Sequence, residues 1–257
     1  MSSIIGKKSC IDGDGNYYKQ VKIGDQVWMA ENLKTTKYTD GTSIPLVTDN
    51  SSWAALTTHA YCYPDNDISL VNSGSATNVT TLGHAGKGLF YNWWAVDGDG
   101  SGDIRGLRDI SPEGWHVPSN TEWYGLFYYL RDNGFGYDEA VAPGPYGEGT
   151  SINKSMADTG GWRSIGTNEG DPGYDQLSNN TSGFTGLATG YRAYDDGDFD
   201  FSPNKYAEWW SSTYFSGTGT WSQTLRYDYH SWVFGTENKK YGHSIRCVSD
   251  ETLIEAW

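Results

Sequence analysis

The alternation of apolar and polar positions is clearest near the start of the chain. In YYKQVKIGDQVWM (17–29) the two kinds of residue alternate on both sides of Gly24-Asp25, which predicts a β-hairpin closed by a two-residue turn. From about Tyr38 to Gly88 the pattern dissolves into Thr, Ser, Asn, Asp and Gly with scattered rings such as Trp53, Tyr61 and Tyr63. An ordered loop held by its aromatics is expected there. Periodicity returns after Pro118. Ser119 can cap the amide of Glu122 while the Glu122 carboxylate reaches back, and Trp123, Leu126, Phe127 and Leu130 then share one helical face. This main helix is predicted to run to about Asp132, with a shorter one near 152–158 before Gly160-Gly161. Strand-like runs follow around Trp209-Trp210, 222–227, 231–234 and 244–248, separated by turn residues. With no repeat and no low-complexity linker, residues 1–257 read as a single domain opened by the hairpin.

Composition sharpens the kind of core. Only 37% of the 257 residues are hydrophobic, yet there are 12 Trp, 19 Tyr and 33 Gly, so rings must supply much of the buried area and short strands joined by turns are expected. A net charge of −14 repels phosphate backbones and anionic membrane surfaces, which argues against nucleic acid as a partner. No apolar run is long enough to span a bilayer, and MSSIIGKK at the N-terminus lacks a signal peptide's apolar stretch. For an extracellular or cell-surface protein, that implies an export signal already removed or another route out of the cell. Three cysteines, Cys10, Cys62 and Cys247, are too few for a disulfide framework and lack metal-ligand spacing; small buried thiols are favoured over one pair with one left over.

Candidate chemistry is sparse. His59, His84, His116, His230 and His243 are scattered, with no HExxH pair and no GxSxG elbow; His116 reads as a structural hydrogen-bonder. Acidic residues are so plentiful that a pair near glycosidase spacing would arise by chance, so a carbohydrate hydrolase is the weaker alternative. In DGDGSGDIRGLRD (97–109), Asp97, Asp99, Ser101 and Asp103 offer oxygen ligands with the sharp-turn Gly102, as in the first half of a calcium loop. Arg108 stands where the closing Glu belongs, and Asp109 is the candidate substitute. Ca2+ is therefore a candidate cofactor, set against a solvated acidic loop. Asp12, Asp14 and Asn16 read as a turn before the first strand, and Asp195, Asp196, Asp198 and Asp200 as a solvated cluster. The strongest functional stretch is 220–240: Trp221, Tyr227, Tyr229, His230, Trp232 and Phe234 are too many rings for one buried face of two short strands, so about half should face outward. With Asn238, Tyr194, Phe199 and Tyr214 they form the predicted ligand-binding set, since Tyr and Trp stack on sugars and protein side chains alike.

Six segments in order, VKIGDQVWMAENL (21–33), GLFYNWWAV (88–96), SPEGWHVPSNTEW (111–123), SGFTGLATGYR (182–192), WWSST (209–213) and YGHSIRCVSD (241–250), resemble the Fibrobacter-type major paralogous domain of bacterial surface-associated modules. The resemblance implies an α+β, C-type-lectin-like fold of the formylglycine-generating-enzyme branch, with short twisted antiparallel strands, one main helix and long ordered loops. It assigns Trp209, Trp210 and 244–248 mainly to the scaffold. The enzyme relatives use two C-terminal cysteines to bind copper; here only Cys247 lies in that half, so no copper and no catalysis are expected. Variable proteins of diversity-generating retroelements are similar in scaffold, and Tyr227-Asp228-Tyr229-His230-Ser231 fits adenine substitution in Asn codons. The expected function is a non-catalytic receptor-binding or adhesion module, on a cell surface or alternatively a phage tail, with a protein or carbohydrate ligand. A purely structural surface or virion protein is the other alternative.

Overall fold

Gly24 takes the positive φ, 60°, that the first central residue of a tight hairpin turn needs, and the predicted hairpin closes around it. The computed structural model describes residues 9–71, 86–97, 108–136, 152–164, 168–200 and 204–251. Strands β1 (Gln20–Ile23) and β2 (Gln26–Met29) pair with Ile23 opposite Gln26. The long polar stretch then holds only a short helix, α1 (Asn50–Ala54), β3 (Tyr61–Cys62) and two 3-10 turns. It is followed by β4 (Phe90–Tyr91), α2 (Trp93–Asp97) and β5 (Trp115–His116).

The main helix, α3 (Asn120–Asp132), starts with the capping box predicted for it: Glu122 N donates to Ser119 Oγ (3.3 Å) and Ser119 N to Glu122 Oε2 (2.8 Å). Its predicted apolar face is the buried one. The second predicted helix is a single turn, α4 (Asn153–Met156). Strands β6 (Tyr206–Ser216), β7 (Gly219–Arg226) and β8 (Tyr229–Asn238) form an antiparallel meander, and β9 (Val248–Ser249) inserts between β2 and β5. The strand expected over 244–248 is therefore mostly extended chain: Ser244 makes a single parallel bridge to Trp209, and only Val248 joins a ladder. The architecture is mixed helix and sheet, with antiparallel strand pairing and few helices among the described residues.

Adjacent residues on a strand point to opposite faces, and β6 uses this to divide the core. Trp209 packs with Trp28, Trp123, Phe184 and Trp232, while Trp210 packs with Tyr91, Trp93, Trp115 and Ile245. Two guanidinium groups are buried as part of this aromatic packing. Arg246 sits 4.4 Å from the Phe184 ring and donates to Asn32 Oδ1 (2.7 Å) and to the carbonyls of Phe184 and Thr185. Arg192 lies between Trp53 and Phe199 and donates to the carbonyls of Val47, Thr48 and Gly197. All three cysteines are buried free thiols.

Candidate functional site

Register defines one face of the C-terminal sheet. Tyr206, Arg226 and Tyr229 form a row across β6, β7 and β8; Glu208, Thr224 and Val233 form the next, then Trp210, Ser222 and Gly235, then Tyr214, Thr220 and Glu237. Parallel bridges from Gly190 to Ala207 and from Ser244 to Trp209 widen the sheet beyond β6. They bring Tyr191 to 6.0 Å from Tyr206 and His243 to 4.3 Å from Trp210. The rim is half-exposed, with Tyr191, Tyr206 and Tyr241 joined by Tyr229 at 38% and Tyr194 at 37% exposure.

The floor of this face is acidic and poorly bonded. Glu208 is only 9% exposed, and burial, with Glu237 and Asp200 nearby, pushes its carboxyl well above the usual range. Burial likewise raises Glu237. His243 Nδ1 lies 3.0 Å from Glu208 Oε2, but burial lowers this imidazole to about 3, so it is neutral and does not balance the carboxylate. His243 Nε2 and the Ser222 hydroxyl are buried without a hydrogen-bond partner among the described residues, and Nδ1, although 3.0 Å from Glu208 Oε2, is not aligned with it for a hydrogen bond.

The predicted ligand residues are divided by strand alternation. Tyr229 and Tyr214 belong to this face, and Tyr194 packs 5.0 Å from Tyr241 at its rim. Trp221 and Phe234 are half-buried on the opposite face, Trp221 against Phe215 and Phe234 stacked 4.2 Å from Tyr124. Tyr227 packs beneath Arg163, His230 Nδ1 approaches Asp171 Oδ1 at 3.5 Å, and Asn238 Oδ1 accepts from Lys240 N in a turn. Two assignments are corrected. Trp232 is 1% exposed, packed on Trp123 with its indole N–H donating to Gln223 Oε1 (2.9 Å), and Phe199 is buried beneath Arg192; both are core rings and offer nothing to a surface ligand.

Of the calcium candidates, Asp97 is buried at the end of α2, and Asp109 Oδ1 accepts from Ser111 N (2.8 Å). Asp99, Ser101 and Asp103 lie outside the described residues. Among those described, no three His, Cys, Asp or Glu side chains gather as a metal site. The Asp12 turn is structural, its carboxylate accepting from the amides of Asp14 and Asn16. Asp198 Oδ1 accepts from Asn50 Nδ2 (2.7 Å), tying the acidic cluster to α1. His116 is indeed a hydrogen-bonder, held at 2.6 Å by both Glu122 and Asp250. Glu208, Glu237, Tyr191, Tyr241 and His243, which the sequence does not single out as ligand-binding, also lie at this face. The available signal is a carboxylate, Glu208, set directly before the Trp209-Trp210 block that the resemblance assigns to the scaffold.

The chain is thus a mixed helix-and-sheet protein whose C-terminal meander carries half-exposed tyrosines around the buried carboxyl of Glu208. It belongs to the Fibrobacter succinogenes major domain family, which it matches over residues 21–249. Comparison with curated proteins and with solved structures returns no match. No helix among the described residues is long and apolar enough to cross a membrane.

Proposed function

We propose that this chain is a non-catalytic binding module on a C-type-lectin-like scaffold, displayed on a bacterial surface or a phage tail, and that it grips a protein or carbohydrate ligand with the open face of the β6–β7–β8 meander. The observation that carries this reading is the ring of half-exposed tyrosines around Ser222 and His243, polar groups buried without partners. Such groups cost stability unless something satisfies them, and large rings that lose little entropy on contact are what binding surfaces use. Tyr229 and the neighbouring Asp228, His230 and Ser231 also suit retroelement diversification, which a neighbouring reverse transcriptase and template repeat would establish.

The test is to screen the immobilised domain against glycan and peptide arrays. The double variant Tyr194→Ala, Tyr229→Ala should lose the targets at nearly unchanged melting temperature; targets retained by that variant, or no target at all, would overturn the reading. Hydrolysis of carbohydrate is the second reading, favoured only by the proximity of Glu208 and Glu237. Turnover of nitrophenyl glycosides that disappears in Glu208→Gln would put it first.

A further inference from the structure

Glu208 is a carboxylate placed where a carboxylate is costly. It sits on the floor of the binding face, and among the described residues it has no basic group close enough to offset its burial; its near neighbour His243 is neutral. An acidic cluster alone would mean little, but three independent features converge on it. The rings of Tyr241 and His243 lie parallel at 5.3 Å, and Tyr191 meets Tyr241 at 74° with centroids 5.7 Å apart, so ring faces and edges wall one corner. Ser222 Oγ and both His243 nitrogens are buried and unbonded beside it. Gly235 keeps the floor clear of a side chain: a Cβ there would crowd Ser222 Oγ at 3.3 Å and touch Glu237 Oε1 at 3.6 Å.

We propose that this corner receives the cationic end of a lysine or arginine side chain from a protein ligand, its charge facing Glu208 and Glu237 and its stem lying against Tyr191 and Tyr241. The inference rests on the binding-module reading and names its ligand chemistry. Aromatic walls attract a cation through the ring quadrupole, and a desolvated carboxylate without a counter-ion gains most from one. Rings that contact one another form a corner, which takes a point charge on an alkyl stem, whereas a sugar stacks on an open ring face. The groups facing Glu208 are Glu237, Asp200, His243, Tyr191, Tyr206 and Tyr241; two cations share the wider face, Arg226 over the rings of Tyr206 and Tyr229 and paired with Asp228, and Lys239 over Tyr214. Arg226 is taken up by Asp228 and its two tyrosine rings, and Lys239 by Trp93 and Tyr214, so an incoming cation is left to favour the ionised form of a carboxyl that burial holds toward the protonated one, and binding should release protons.

Calorimetry with the full chain tests this, using Nα-acetyl-lysine methylamide and its arginine counterpart as probes. The norleucine compound serves as the uncharged isostere and glucosamine as a cation borne on a sugar. The lysine or arginine probe should saturate, with proton release visible as a heat that depends on the buffer, and the norleucine compound should not. Glu208→Gln and Glu237→Gln should each weaken binding by roughly tenfold or more; should Glu208→Gln fail to fold by circular dichroism, the half-exposed Glu237 decides. Equal binding of norleucine, preference for glucosamine, or indifference to the glutamine variants overturns the inference. An array target that needs Tyr229 yet ignores both glutamine variants would overturn it and leave the binding module standing, and the absence of any target would sink both.

Discussion

His116 offers the most quantitative test of how the N-terminal sheet is tied to the main helix. Its imidazole bridges Glu122 Oε1 and Asp250 Oδ1, each at 2.6 Å, so one side chain links β5, the first turn of α3 and the chain just beyond β9. Burial disfavours the imidazolium, but the hydrogen bonds and charges of Glu122 and Asp250 outweigh it and raise the group from 6.5 to about 9. The folded pKa exceeds the unfolded one, so the contribution to stability is fully present below about pH 6.5 and is lost as pH rises through about 9. Without solvent screening, a rise from 6.5 to about 9 corresponds to roughly 3 kcal/mol. The imidazole is 35% exposed and Asp250 54%, and solvent screening brings the expectation to about 1–2 kcal/mol. Urea unfolding of the native chain and His116→Gln, followed by tryptophan fluorescence at about pH 6 and about pH 9.5, isolates this term. The variant should be less stable at the lower pH, and the gap should shrink by that amount at the higher. A gap independent of pH would refute the charged bridge and leave only packing.

Four further outcomes follow from the same structure. Trp232→Ala should destabilise the fold by about 3–5 kcal/mol, as expected for a large core ring, whereas Tyr229→Ala at the rim should cost about 0.5 kcal/mol or less; similar costs in chemical denaturation would mean that the face is misassigned. Glu208→Gln should raise stability near neutral pH by about 1 kcal/mol, because a carboxyl raised by burial opposes folding once the pH exceeds its unfolded value; a lower melting temperature at pH 7–8 than at pH 5, relative to native, would contradict this. Gly197 has φ 71°, and a Cβ there would lie 2.0 Å from Asn50 O, so Gly197→Ala should disrupt the Arg192 site and lower the melting temperature markedly, while Gly15→Ala, with nothing within 4 Å, should cost only its backbone strain. If residues 97–109 hold calcium, a chelator should lower the melting temperature and added Ca2+ restore it by mass action; no response to either removes the ion from this protein.

Local patterns in the sequence determined the hairpin at Gly24, the capping box at Ser119, the apolar face of α3 and the existence of a strand-rich C-terminal half. Each depends on interactions between residues a few positions apart, so period and turn chemistry suffice to read them. The stretch 244–248 shows the limit. Its apolar character suggested a strand, but its partners at β6 and β2 lie far away in the chain, and only one bridge and a short ladder form. The rings of 221–234 show a second limit. Alternation says that half face each way, yet the depth to which Trp232 is buried depends on α3 covering that side, and only the fold places Trp123 and Phe127 there. The binding face depends on tertiary structure most of all. Tyr191, Glu208, Glu237 and His243 come from four separate segments, and the β6–β7–β8 ladder with the bridges of Gly190 and Ser244 to β6 sets them side by side. The cost of burying Glu208 beside a neutral imidazole is a property of that assembled environment, since any one of these residues alone in the sequence is an ordinary side chain with an ordinary charge.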